Sequence, residues 1–273
     1  MARLRRATRN RFFIFLRSPY RYMPRRKSCF EFKQFAIHQD QCAMKVGTDG
    51  ILLGAWADVC HRQRVLDIGT GTGLLALMIA QRSPNSIIDA VEIDHSAYLQ
   101  AVDNVRRSPW SERIHVYHGS IQELASSLAQ TNVLKYDLII SNPPFFENAY
   151  KSPQSSRNLA RHSDRLSPTE LLQVSSQLLN NQGSLAVIYP WETAQKLITN
   201  AARFNLFSDR QLLIKPTRDH AIKRVLIQFI KNIAPPISLP NLSLNSQSPN
   251  LVIEIAKHIY SPEFIALTKD FYS

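Results

Sequence analysis

Several features are missing from this chain, and each absence removes a class of protein. No apolar run approaches the roughly 20 residues that a membrane-spanning helix requires. Cysteine is scarce. Cys29, Cys42 and Cys60 form an odd set without CxxC spacing, which argues against a disulfide framework and against a zinc site. The expectation is a cytoplasmic protein with no metal. No internal repeat is visible. Acidic residues are absent from residues 1 to 27, a stretch that carries Arg3, Arg5, Arg6, Arg9, Arg11, Arg17, Arg21, Arg25, Arg26 and Lys27.

That arm accounts for most of the net charge of +12. Ten of the 33 Lys and Arg lie in it, which leaves residues 28 to 273 with 23 basic against 21 acidic side chains. Beyond the arm, attraction to a polyanion must therefore come from local patches rather than a global field. The arm has three readings: a phosphate-binding extension, a transit peptide, or an upstream start with Met23 as the true first residue. A mis-assigned start or a dispensable arm is preferred. Its apolar stretch Phe12-Phe13-Ile14-Phe15-Leu16 is short for a secretory core of about 7–15 residues. The expected organisation is a basic extension over residues 1–29 followed by one catalytic domain over 30–273. Within that domain, 30–60 is an N-terminal cap, 61–231 the core and 232–273 a C-terminal appendage.

From Arg64 onward, short apolar runs alternate with longer amphipathic ones. The pattern predicts strands at Arg64–Ile68, Ile87–Ile93, Ile114–Tyr117, Tyr136–Ile140 and Gly183–Tyr189. It predicts helices following Gly73, over His95–Arg107, Ile121–Ala129 and Glu192–Phe204, and over Pro168–Asn180 with Ser167 as N-cap. Phe207–Ile214 and Ala221–Ile230 are strand-like and joined by a short turn, as in a hairpin. Leu251–Ile255 is a candidate extra strand, and Pro262–Phe271 a closing helix. Alternating βα units ending in a hairpin imply an α/β, Rossmann-like fold. Its sheet would have seven strands, mostly parallel with one antiparallel, and helices on both faces.

Asp67-Ile68-Gly69-Thr70-Gly71-Thr72-Gly73 lies between the first of these strands and its helix. Glycines there allow a tight turn and close approach of backbone to a ligand. A dinucleotide fingerprint would place its third glycine five residues after the first. Here Gly69, Gly71 and Gly73 are spaced by two and an acid precedes them, which resembles the S-adenosylmethionine loop of Rossmann-like methyltransferases. That cofactor has an amino-acid head in place of a pyrophosphate, and Asp67 would help hold its ammonium. Glu92, at the end of the next strand, is placed to accept ribose hydroxyls.

Ser141-Asn142-Pro143-Pro144-Phe145 follows the fourth strand, at the edge where ligands bind in such folds. The residue types suit methylation of an amino group conjugated to a flat system. Such a nitrogen is a poor nucleophile because its lone pair is delocalised. The Asn142 side-chain oxygen and the Pro143 carbonyl can each accept one of its hydrogens, turning the lone pair toward a methyl donor. The fixed φ of proline presents the carbonyl rigidly. Pro144 continues the rigid turn, and Phe145 offers a face for stacking. Adenine N6, guanine N2 and a glutamine amide all fit this chemistry, and the motif does not separate them.

The flanking segments carry more. Phe32-Lys33-Gln34-Phe35, the block Cys42-Ala43-Met44-Lys45-Val46-Gly47-Thr48-Asp49-Gly50-Ile51-Leu52-Leu53-Gly54-Ala55-Trp56 and the tail Leu267-Thr268-Lys269-Asp270-Phe271-Tyr272 closely resemble the bacterial tRNA1(Val) adenine-N6 methyltransferase family. The resemblance runs from about Phe30 to the end. It implies a cytoplasmic enzyme that uses S-adenosylmethionine to methylate adenine 37 in the anticodon loop; the chain is separately expected to be a monomer. The resemblance also implies that Thr48 and Asp49 close over the cofactor head. In that family an acid usually follows the third strand; here the position is Ser120, whose hydroxyl or backbone would have to replace it. The residues themselves give only a loop and an N-cap before a helix starting near Gly50.

Two sets of basic residues are candidates for tRNA contact: Lys151, Arg157, Arg161 and Arg165 after the catalytic motif, and Lys215, Arg218, Lys223 and Arg224 on the hairpin. His162 reads equally as a surface histidine. Three other functions compete: glutamine methylation of a release factor, DNA adenine methylation, and a non-catalytic binding module. The Lys45–Trp56 block, the lack of a separate N-terminal helical domain and the lack of a target-recognition domain count against the first two. Intact Asp67 and Asn142 count against the third.

Overall fold

The structure is a computed structural model, and it describes residues 28–131, 135–144, 166–232 and 248–272. A hairpin opens it, β1 (Cys29–Glu31) with β2 (Ala36–His38). Helix α1 (Thr48–Trp56) follows. Next come β3 (Arg64–Ile68), α2 (Leu74–Arg82), β4 (Ile87–Glu92), α3 (His95–Arg106), β5 (Ile114–His118), α4 (Ile121–Thr131) and β6 (Tyr136–Ser141). After the catalytic motif the chain continues through α5 (Pro168–Leu178), β7 (Leu179–Pro190), α6 (Trp191–Ala201), β8 (Leu206–Lys215), β9 (Arg224–Lys231), β10 (Asn250–Val252), β11 (Glu254–Ala256), β12 (Ile259–Tyr260) and α7 (Pro262–Thr268).

The principal sheet runs β10-β8-β9-β7-β6-β3-β4-β5. All of its pairings are parallel except those of β9 with β7 and β8. The seven expected strands are present, with an eighth, β10, added in parallel to the edge of β8. The strands β3, β4, β6 and β7 are near-continuous apolar runs because helices cover both faces. Val65, Leu66, Leu138, Ile139 and Ile140 are all fully buried. One face packs against α1, α2 and α7, the other against α4, α5 and α6.

Several boundaries differ from the sequence reading: the second hairpin strand begins at Arg224 rather than Ala221, Leu251–Ile255 divides between β10 and β11, and the closing helix ends at Thr268 rather than Phe271. Helix α5 stops at Leu178, and β7 begins at Leu179, well before Gly183. Helix α6 ends at Ala201 and tightens into a 3-10 turn over Ala202–Phe204, closed by Asn205 in a left-handed conformation. Helix α1 starts at Thr48 with Gly47 as N-cap, and no side chain caps it. The Ser167 cap is as expected, and with Glu170 it forms a reciprocal capping box.

The two ends of the described chain clasp each other. The Lys33 amide donates to the Phe271 carbonyl at 3.0 Å, and the Lys33 ammonium to the Lys269 carbonyl at 2.6 Å. Phe32 stacks on Phe35 and meets Phe271 edge-on. No helix among the described residues is long and apolar enough to cross a membrane.

Leu138 is fully buried on β6, the strand that delivers Asn142. Leu138→Ala removes that packing and leaves a cavity, so it should cost about 2–5 kcal/mol of unfolding free energy in a urea titration.

Candidate functional site

Parallel strands β3 and β6 are neighbours, with Asp67 paired to Ile140, so their carboxyl ends emerge side by side. A hydrogen bond from Ser141 Oγ to the Ile68 carbonyl (2.8 Å) ties the two ends together. The glycine loop leaves one strand and the Asn142-Pro143-Pro144 turn leaves the other.

Asp67 is completely buried. Its Oδ2 accepts from Thr70 Oγ1 at 2.5 Å and from the Ala76 amide at 3.2 Å, folding the loop back onto the first turn of α2. Burial pushes its carboxyl up to about 7, against the partial relief of those two donors, and the neighbouring Glu92 charge adds to the rise. Oδ1 is buried without a hydrogen-bond partner. Asp67 therefore acts first as the organiser of the loop, with one acceptor atom in reserve.

Gly69 and Gly71 have φ of 70° and 58°, which disfavours any residue with a side chain. A Cβ built on either would meet no atom within 4 Å, so the loop backbone faces open space. Gly73 caps α2, also at positive φ. Glu92, at the end of β4, is 8% exposed. Its Oε2 accepts from the Gly71 amide at 2.8 Å and its Oε1 from the Asp94 amide at 2.9 Å. Each oxygen keeps a lone pair for a further donor. The cradle, its backbone amides and the two acids suit a nucleoside bearing a cationic amino-acid group.

Helix α1 forms the near wall. A Cβ on Gly50 would stand 2.9 Å from Leu74 Cδ2 and 3.5 Å from Asn142 Nδ2, so α1 approaches both the cofactor helix and the catalytic turn closely. Asp49 forms an ion pair with Arg224 (2.9 Å), and both side chains are about one-third exposed. Thr48 is exposed beside them.

The expected site residues thus separate into groups. Asp67, Gly69, Gly71, Gly73, Glu92 and Asn142 lie at the carboxyl ends of β3, β4 and β6, and Asp49 borders them. Pro143 is half-buried and Pro144 exposed. Ser120 serves its own helix. Its hydroxyl accepts from the Glu123 amide and its amide donates to the Glu123 carboxylate, a capping box for α4. Arg224 is engaged with Asp49. Lys215 is half-buried, and Arg218 and Lys223 are exposed around the β8–β9 turn. Phe145, Lys151, Arg157, Arg161, His162 and Arg165 lie outside the described residues. The described residues hold no cluster of His, Cys, Asp or Glu able to bind a metal.

Two contributors escaped the sequence reading. Ser141 belongs to the motif but has no role in the sequence reading, and its hydroxyl ties the two strand ends together. Ile93, directly after Glu92, is an exposed apolar side chain, 49% accessible. Its signal was a hydrophobic residue between two acids, just past a strand end.

Comparison with known proteins places this geometry. The methyltransferase small-domain family model matches residues 46–199. The tRNA1(Val) (adenine(37)-N6)-methyltransferase of Trichodesmium erythraeum is 49% identical over 245 residues, covering 89% of this chain and 97% of the relative. Its counterpart in Parabacteroides distasonis is 47% identical over 243 residues, with the same coverage. Among solved structures, a predicted O-methyltransferase of Agrobacterium tumefaciens superposes with a TM-score of 0.58. That match covers 83% of this chain and 98% of the other at 18% identity, a likeness of fold alone.

The raised Asp67 carboxyl has a measurable consequence. The folded protein holds this proton up to about pH 7, whereas the unfolded chain releases it near 3.8. Its contribution to stability is therefore full below pH 3.8 and is lost as pH rises toward 7. Asp67→Asn cannot titrate. Chemical denaturation at pH values between 3.8 and about 7 should show a smaller loss of stability with rising pH in the variant than in the wild type.

Proposed function

The chain belongs to the methyltransferase small-domain family and, within it, to the tRNA1(Val) (adenine(37)-N6)-methyltransferases; on that premise we propose that it transfers a methyl group from S-adenosylmethionine to N6 of adenine 37 in tRNA1(Val). The observation that carries the site assignment is the delivery of Asn142-Pro143-Pro144 from β6 directly beside the glycine loop of β3.

When bound, S-adenosylmethionine supplies an electrophilic methyl group on a sulfonium. The open backbone at Gly69 and Gly71 would hold its amino-acid half, and the Glu92 oxygens its ribose. Asp67 keeps the loop in shape and offers Oδ1 toward the ammonium, directly or through water. Ile93 would pack on the flat base. The Ser120 hydroxyl is committed to its helix cap, so recognition at that end falls to backbone groups.

The Asn142 side-chain oxygen and the Pro143 carbonyl accept the two N6 hydrogens of the target adenine. That draws the nitrogen toward tetrahedral geometry and aims its lone pair at the methyl. The surplus proton leaves to solvent after transfer, so no strong base is required. Catalysis is then chiefly orientation, an effect worth up to about 7–11 kcal/mol in favourable cases. Phe145 would stack the adenine once it is turned out of the anticodon loop. Arg218 and Lys223 on the β8–β9 turn, with Lys215 behind them, would meet the phosphates, as would Lys151, Arg157, Arg161 and Arg165. Arg224 is better placed to anchor Asp49 than to reach RNA. The tRNA substrate of this reading supports a cytoplasmic location.

The decisive assay is transfer of labelled methyl from S-adenosylmethionine to unmodified tRNA1(Val), with release factor and duplex DNA as parallel acceptors. N6-methyladenosine at position 37 is expected, and label in the release factor or DNA instead would overturn the substrate. Asn142→Ala should abolish turnover while calorimetry still detects cofactor binding. Phe145→Ala should impair methylation far more than Phe145→Tyr; equal losses would argue against stacking.

A further inference from the structure

The buried face of α3 is made of Ala97, Ala101 and Val105, interrupted by two amides one turn apart, Gln100 and Asn104. Asn104 is 1% exposed. A primary amide buried this deeply is costly unless its polar atoms are satisfied. Its bonds go to two distant segments. Oδ1 accepts from the His38 amide at 2.9 Å, and Nδ2 donates to the His38 carbonyl at 2.8 Å, so the side chain pairs with His38 as a neighbouring strand would. Nδ2 also donates to the Thr72 carbonyl at 2.9 Å, inside the glycine loop.

His38 begins a strap that leads to α1. Gln39 closes the strap on itself by accepting from the Val46 amide at 2.8 Å, and Gln100 accepts from the Gln41 amide at 3.2 Å. The strap carries the buried Cys42, whose thiol is pushed up to about 11 by burial and by the charges of Glu92, Asp94 and Asp40. The strap then enters α1, whose Gly50 lies against Leu74 and Asn142. One amide therefore joins the loop expected to cradle the cofactor to the segment that walls the catalytic turn.

We propose that Asn104 is a positioning residue that couples the glycine loop to the 38–46 strap, so that seating the cofactor also fixes the strap and the start of α1 beside Asn142. The proposal rests on reading Gly69–Gly73 as the S-adenosylmethionine site. Gln100 provides the internal control, because its bond holds the strap without touching the loop.

The test is calorimetric titration of S-adenosylmethionine into the full chain as wild type, Asn104→Ala and Gln100→Ala. Loss of the buried hydrogen bond to the loop, together with the two to His38, should weaken binding about tenfold or more in Asn104→Ala, and Gln100→Ala should stay within about threefold of wild type. In steady state, Asn104→Ala should raise KM for S-adenosylmethionine and leave KM for tRNA unchanged, a split that general destabilisation would not produce. Equal weakening in both variants, or wild-type affinity in Asn104→Ala, overturns the coupling. Failure of the wild type to bind would instead overturn the cofactor reading beneath it. If Asn104→Ala does not fold, Asn104→Asp keeps the size and the acceptor for His38 but loses both donors. Hydrogen exchange over residues 38–46 then decides. The cofactor should slow exchange in the wild type and not in Asn104→Asp; slowing that persists in the variant overturns the proposal.

Discussion

A carboxylate without access to water must be answered by donors or keep its proton, and Asp67 imposes that constraint at the end of β3. Meeting it requires Thr70 and the Ala76 amide to converge on one oxygen. The chain can reach both only by turning sharply through residues at positive φ, which is why Gly69, Gly71 and Gly73 stand where they do. The turn leaves its backbone facing open space and sets the axis of α2. Glu92 then takes the Gly71 amide and so registers β4 against the same loop. The Glu92 charge makes ionisation of the buried Asp67 harder still. The pocket therefore gains when a cation enters it, which matches a sulfonium cofactor with an ammonium head.

The rim around this loop is held by modest interactions. The Asp49–Arg224 pair is partly exposed, and such pairs contribute about 0–1 kcal/mol. Its consequence is geometric. It links the first turn of α1 to the start of β9, the one strand of the principal sheet that runs against its neighbours. The β8–β9 turn and the catalytic turn thereby lie at the same edge of the sheet.

Most of the fold was legible because parallel strands covered on both faces write themselves as unbroken apolar runs, and the βα alternation around Leu66, Val91 and Ile139 left little choice of topology. The glycine loop and the Asn142 turn were legible because their chemistry demands rare residues at fixed spacing. What stayed hidden depends on contacts between distant residues. Nothing in Ser120 announced that its hydroxyl would serve Glu123 rather than a ligand. Nothing in Arg224 announced Asp49, 175 residues earlier. Asn104 looked like any polar residue on a helix until its side chain was found between the His38 and Thr72 carbonyls. The start of α1 was missed by two residues because a glycine, with no side chain to offer, is its cap.

The clasp between the chain's two ends also bears on how the protein is made. Lys33 and Lys269 are 236 residues apart, and Phe32 shares its aromatic cluster with Phe271 and Tyr272. At roughly 5–20 residues per second of synthesis, the opening hairpin waits on the order of ten to fifty seconds for the residues that cover it. During that interval its phenylalanines have no native cover from the C-terminal segment. The aromatic cluster around this hairpin is therefore closed only after the ribosome has delivered the C-terminal segment, although Phe32 and Phe35 are made long before it.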